Sequence, residues 1–194
     1  MLRQDCCDGS LKWPTILSGD FDSISMETKE LFTSHSAVIE TPDQDKTDLT
    51  KCLEIVAQRE EVLKKEVETI LVLGGFSGRF DHTLASLNTF LLSHELTPIP
   101  VLALDGENLI TVLSKGKHEI LIDNSKTTGI CGLVPFCQQV TIVTIDGFQW
   151  NLENFELKYG GLISTSNRIV SNKLKIETSS PLIFTMELLE NEIL

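Results

Sequence analysis

Thr69-Ile70-Leu71-Val72-Leu73-Gly74-Gly75-Phe76-Ser77-Gly78-Arg79-Phe80-Asp81-His82 passes from an apolar run into a glycine-rich turn, then into a periodic segment. The run Thr69 to Leu73 has the continuous apolar character of a parallel strand buried on both faces. Beyond the turn, Leu84, Leu87 and Leu91 recur on one face of a predicted amphipathic helix. A strand, a glycine turn and a helix start present backbone N–H groups that phosphate oxygens can approach. The pattern is neither the dinucleotide Gly-x-Gly-x-x-Gly nor a P-loop ending in Gly-Lys-Ser/Thr. Arg79 adds a planar donor suited to phosphate. Asp81 can cap the helix, contact a metal, or do both. His82 reads as a structural hydrogen-bonding residue, with proton transfer as the sharper alternative.

Outward from this stretch the alternation continues. Upstream, Pro14-Thr15-Ile16-Leu17 is a short apolar run ending at Ser18-Gly19. From Asp48, the residues Leu49, Cys52, Leu53, Val56 and Ala57 recur at helical spacing against a charged face of Lys51, Glu54 and Arg59. Asp45 or Thr47 can cap that helix. Downstream, Ile99 to Leu104 reads as the next strand. Strands alternating with helices predict a Rossmann-like parallel α/β domain over residues 1–110. After Asp105-Gly106 the pattern changes to short runs rich in Ile, Val, Thr and Leu: Leu109–Leu113, His118–Ile122, Val140–Ile145, Leu162-Ile163, Leu174–Glu177 and Leu182–Met186. These predict an all-β sandwich or barrel over residues 111–194, with the boundary within 105–115.

The chain has 194 residues, enough for a substantial core, with ordinary hydrophobic (41%) and charged (23%) content. Its formal net charge of −12 argues against a general nucleic-acid binder. A nucleotide ligand stays open, because Mg²⁺ can mediate between carboxylates and phosphates. Cys6, Cys7, Cys52, Cys131 and Cys137 lack zinc-ribbon or thioredoxin spacing, which points to free thiols in a reducing compartment, with Cys52 in a helix core. No apolar run is long enough to span a bilayer, and Met1 to Pro14 does not read as a signal peptide. The expected setting is the cytoplasm, with no membrane partner.

Acidic residues cluster at two further junctions, Gly19-Asp20-Phe21-Asp22-Ser23 and Asp43-Gln44-Asp45-Lys46-Thr47-Asp48. Two carboxylates about 4 Å apart repel by roughly 4 kcal/mol at an effective dielectric near 20, so a fold that gathers several needs a cation. Side chains at i and i+2 of an extended chain share a face, so Asp20 and Asp22 can reach one metal; an Asx-type turn is the bland reading. Asp48 sits where a helix start favours a carboxylate. Three like charges in six residues exceed what one cap needs. In the β half, Trp150 is either core or a flat face for a cationic ligand, and Ser164-Thr165-Ser166-Asn167 suits a turn or a polar heterocycle. His35, His94 and His118 read as surface residues.

Taken in order, these segments, with Trp150-Asn151-Leu152, resemble thiamine pyrophosphokinases of the eukaryotic type. The resemblance implies an N-terminal α/β domain for ATP, a C-terminal β-sandwich for thiamine, and a homodimer with active sites between subunits. It implies transfer of pyrophosphate from ATP to thiamine, giving thiamine diphosphate and AMP. Carried over by motif, Asp20, Asp22 and Asp48 correspond to Mg²⁺ ligands. Asp45 and Arg79 join them as catalytic positions. Gln44, Asp45 and Thr47 correspond to the phosphate path, Gly75, Arg79 and Asp81 to the ATP surroundings, and Trp150, Ser164, Ser166 and Asn167 to the thiamine pocket.

Two departures are visible. Family members begin with an apolar strand and an Ala-Asp-Gly-Gly-Ala-like turn, of which Cys7-Asp8-Gly9-Ser10 is a poor echo. The first strand and helix of the nucleotide domain are therefore expected to be missing. Ile169 stands where an aromatic residue is usual. The competing expectation is an inactive, truncated family member serving only as a dimer partner. A nucleotide-sugar transferase using Asp20-x-Asp22 is a third reading with no other support.

Overall fold

The computed structural model describes residues 12–22, 24–64, 66–136 and 140–189. Cys6, Cys7, Cys137, Ser23 and the Cys7-to-Ser10 segment lie outside the described residues. The chain divides into two compact units, Met1–Glu60 and Glu61–Leu194. The architecture is one of mixed sheets with few helices.

The first unit is a βαβ arrangement followed by a helix. Strand β1 (Ile16–Gly19) pairs in parallel with β2 (Ala37–Glu40), with Ile16 opposite Ala37. Helix α1 (Met26–Thr33) makes the crossover, and the Ser25 hydroxyl caps it by accepting from the Thr28 N–H. Trp13 stacks on the exposed His35 at 3.9 Å between ring centres and meets Phe32 edge-on. Helix α2 (Asp48–Ala57) begins at Thr47, whose hydroxyl accepts from the Thr50 N–H, so Thr47 rather than Asp45 is the cap.

In the second unit, β3 (Ile70–Leu73) pairs in parallel with β4 (Val101–Asp105). Between them run the glycine turn and α4 (Phe80–Leu96); the short α3 (Glu60–Leu63) precedes β3. The chain then reverses at Gly106 into β5 (Asn108–Leu113), antiparallel to β4. With β7 (Thr127–Pro135), β10 (Ser164–Arg168) and β12 (Leu182–Leu188) these strands make a six-stranded sheet in the order β10-β7-β12-β5-β4-β3. A four-stranded antiparallel sheet holds β6 (Gly116–Leu121), β11 (Lys173–Thr178), β8 (Thr141–Asp146) and β9 (Leu152–Leu157), in that order. One buried cluster draws on both sheets, including Leu133, Leu182 and Phe184 from the first and Val143, Ile145, Leu157, Leu174 and Ile176 from the second.

Several expectations are corrected. The Ile70–Leu73 strand is not buried on both faces: it forms the sheet edge, and Leu71 and Leu73 are 47% and 67% exposed. Helix α4 does not bury a leucine stripe. Leu84 is exposed, and the buried face is Ser86, Thr89, Phe90 and Ser93. Small residues let the helix approach closely, and the hydroxyls are satisfied locally: Thr89 donates to the Ala85 carbonyl and Ser93 to that of Phe90. On α2 the expected faces are partly exchanged, with Cys52 exposed and Lys51 only 5% exposed. His118 is half-buried, with its Nε2 on the Ser114 carbonyl at 2.7 Å. Leu162-Ile163 precedes β10 rather than forming a strand.

Candidate functional site

Three groups of the expected residues can be followed locally, the first within the Met1–Glu60 unit. Leaving β1, the chain turns through Phe21, which takes a left-handed conformation (φ 63°) rare for a bulky residue. The Lys29 ammonium lies 4.4 Å from the Phe21 ring centre. Asp20 Oδ1 accepts from the Asp22 N–H at 3.1 Å, so the Asx turn is real; Asp43 repeats the device with the Asp45 N–H at 2.8 Å. Each turn leaves the second carboxylate oxygen outside that bond. Gln44, Asp45, Thr47 and Asp48 are exposed, while Asp20 is half-buried.

Lys51 ties this region together. Its Nζ donates to Asp48 Oδ1 at 2.8 Å, to the Thr41 carbonyl at 2.9 Å and to the Asp43 carbonyl at 3.1 Å. An ammonium has three donors, and here each has an acceptor, which is why a lysine can be buried at this point. The Asp48 hydrogen bond raises the Lys51 pKa above the usual lysine value, with burial opposing it and the charges of Asp48, Asp20 and Asp43 adding to it. The other Asp48 oxygen, Oδ2, lies 3.7 Å from where a Cβ on Gly19 would stand. Thr41 Oγ1 is the buried side-chain oxygen without a hydrogen-bond partner among the described residues, and the Thr41 N–H donates to the Gly19 carbonyl. The donor set is hard oxygen throughout and suits Mg²⁺. Among the described residues, Asp20, Asp22 and Asp48 are not gathered into a closed three-ligand cluster.

The second group is the turn from β3 into α4. Gly74, Gly75 and Gly78 all have positive φ, and a Cβ on Gly74 or Gly78 would meet nothing within 4 Å, so the turn is open above its backbone. It is held from below. The Gly74 N–H donates to the Leu104 carbonyl, the Phe76 N–H to Asp105 Oδ2 at 2.6 Å, and the Ser86 hydroxyl to the Gly75 carbonyl at 2.6 Å. Arg79 occupies the N-cap position without a side-chain cap bond, and its guanidinium grips Asp81 through both carboxylate oxygens. That pairing holds the Asp81 carboxyl below its ordinary pKa, and the pair is exposed. Asp81 is therefore not the cap; it sits in the first turn, facing the positive end of the helix.

The third group is on the β strands. Trp150 is 56% exposed, which removes the core reading. Asn167 is 2% exposed and its amide is fully engaged. Its Oδ1 accepts from the Trp150 and Arg168 N–H groups, and its Nδ2 donates to the Trp150 carbonyl and toward Ser164 Oγ. Asn167 thus braces the backbone under Trp150. Ser166 stands in a register shift of β10 with φ 56°, its side chain exposed, and Ser164 is half-buried.

The comparisons agree on one family. Residues 7–100 match the thiamin pyrophosphokinase catalytic domain and residues 117–183 the thiamin pyrophosphokinase vitamin B1 binding domain. Thiamin pyrophosphokinase 1 of Caenorhabditis elegans is 39% identical, across 92% of this chain and 72% of its own length. The chain belongs to the thiamin pyrophosphokinase family. Thiamine pyrophosphokinase 1 of rice is 37% identical over 90% of this chain, but the match spans only 66% of that relative. The fold is shared with solved thiamin pyrophosphokinases of Candida albicans (TM-score 0.77, 24% identity, 90% of this chain and 73% of that one) and yeast (TM-score 0.78, 22% identity, 93% and 71%).

Three supporting residues were not singled out from the sequence: Lys51, Asp105 and Ser86. Lys51 reads as one more charge on an outer helix face, and only the carbonyls of Thr41 and Asp43 reveal its burial. Asp105-Gly106 does carry a turn signal, yet its contact with Phe76 crosses 29 residues. No local pattern encodes that contact.

Proposed function

We propose that this chain is a thiamine diphosphokinase, transferring the β,γ-pyrophosphoryl group of ATP to the hydroxyethyl oxygen of thiamine. The thiamine O–H loses its proton as its oxygen bonds to the β-phosphorus, the α–β bridging bond breaks, and AMP leaves. The observation that carries the reading is the family match, which covers the acidic turns, the glycine turn and the Trp150 segment within two models of the same enzyme. The division of labour follows the expected parts, a Rossmann-like ATP portion through about residue 110 and a sandwich-like thiamine portion beyond it.

The transferred group carries spread negative charge, so positioning and electrostatics supply most of the catalysis. Asp20, Asp22 and Asp48 would hold Mg²⁺, which when bound offsets polyphosphate charge. Gln44, Asp45 and Thr47 line the phosphate path. The open backbone of the Gly74-to-Gly78 turn receives the nucleotide phosphates, with Arg79 as their cationic partner and Asp81 orienting its guanidinium. The exposed face of Trp150 takes the thiazolium ring. Ser164 and Ser166 offer hydroxyls to the pyrimidine, and Asn167 acts by holding Trp150 in place. The working form is a cytoplasmic homodimer; among the described residues no helix is long and apolar enough to cross a membrane.

Incubation of the purified chain with thiamine, ATP and Mg²⁺ tests the reading. Thiamine diphosphate and AMP should form in equal amounts. ADP with thiamine monophosphate would mean single phosphoryl transfer, and the absence of both product pairs would remove the assignment for this chain.

A further inference from the structure

Among the described residues of the first unit Lys51 is the buried cation, and the proposed function leaves it without a task. It lies one helical turn beyond Asp48, and its three donors are spent on three points of one loop: the Asp48 carboxylate and the carbonyls of Thr41 and Asp43. Those bonds close residues 41–48 back onto the start of α2. They also leave Asp48 with one oxygen fixed and the other beside Gly19, at the root of the Asp20 turn. A carboxylate held by one oxygen can offer the second to a metal in a set direction, and such outer partners orient metal ligands throughout protein chemistry.

From this geometry we infer that Lys51 is a positioning residue that pre-orients Asp48 and the Asp43 loop for a divalent cation. The inference rests on the proposed reading of Asp20 and Asp48 as cation ligands. With its three donors engaged by Asp48 and the two loop carbonyls, Lys51 acts through Asp48. Its positive charge opposes a second cation electrostatically, so removing charge alone would tighten metal binding, whereas removing a positioner weakens it. The direction of the change therefore separates the two roles.

The test is titration of the intact chain with Mn²⁺ alone, without nucleotide, followed by electron paramagnetic resonance of the free ion. Lys51→Met should weaken Mn²⁺ binding by about tenfold to a hundredfold, the usual loss for an outer-shell partner. Lys51→Arg, which keeps cation and donors, should restore most of it. If circular dichroism finds Lys51→Met unfolded, Lys51→Gln is read in its place, since it still donates to the loop carbonyls while losing the ion pair. A folded Lys51→Met or Lys51→Gln variant that binds Mn²⁺ as tightly as the parent, or more tightly, overturns the role of Lys51 alone. A parent chain that takes up no Mn²⁺ overturns the cation reading of Asp20 and Asp48, and Lys51 with it.

Discussion

Asn167 and Trp150 are hydrogen-bonded neighbours of opposite character: the asparagine is buried and saturated, the tryptophan exposed. Because Trp150 packs little, Trp150→Ala should leave unfolding stability within about 0.5 kcal/mol of the parent. On the proposed reading of Trp150 as the thiazolium platform, the substitution removes a cation–π face worth about 1–2 kcal/mol and should raise KM for thiamine by roughly tenfold. KM for ATP should not move, and equal losses for both substrates in steady-state kinetics would mean that Trp150 supports structure instead. The two described cysteines differ just as sharply. Cys52 is an exposed thiol, while burial pushes Cys131 from the ordinary 9.0 up to about 11. The folded state therefore favours the neutral Cys131 thiol; its contribution is intact below pH 9 and is lost as the pH rises from there through about 11. Peptide mapping after iodoacetamide at pH 8 should find Cys52 modified and Cys131 protected until denaturant is added. Modification of Cys131 in the native chain would contradict its burial.

At the level of elements, the glycine turns at Gly147 and Gly78 make opposite demands. Gly147, at the end of β8, has φ 98°, and a Cβ there would stand 2.7 Å from the Lys173 carbonyl and 3.0 Å from Leu174. Gly78 has a similar φ of 85° with open space around it. Gly78→Ala should cost about 1–2 kcal/mol, the backbone strain alone. Gly147→Ala adds overpacking against backbone and should cost about 3 kcal/mol or more. Urea unfolding of both variants distinguishes them, and equal costs would reject the close approach at Gly147. Legibility varied among elements for related reasons. Strand β11 alternates strictly between exposed and buried residues and could be read directly. Strand β7, interrupted by Gly129 and Gly132 and ending at Pro135, carries no clean period, although it is an interior strand of the larger sheet. Strand β9 carries Glu153, Asn154 and Glu156 on a sheet edge, where burial does not enforce alternation.

At the scale of the molecule, the buried cluster lies entirely between Leu113 and Phe184, within the second unit. Limited cleavage beside Glu60-Glu61 should therefore release a fragment beginning near Glu61 that keeps a cooperative thermal transition. A fragment that unfolds without a transition would show that this cluster is insufficient on its own. By itself the amino-acid order determined the alternation of strands and helices, the strand-rich region after it, the acidic and glycine turns, and the family, and it narrowed the α2 cap to Asp45 or Thr47. These are carried by short-range periodicity, turn chemistry and ordered motifs, all local properties of the chain. Tertiary structure alone decided which candidates are available and which are spent. It buried Lys51 against the carbonyls of Thr41 and Asp43, brought Asp105 under the Phe76 N–H, and left one face of the Leu71–Leu73 edge exposed. It also engaged the buried Asn167 amide with the backbone of Trp150. Each outcome depends on where hydrogen-bond partners or sheet neighbours arrive from elsewhere in the chain, and residue type alone does not specify that.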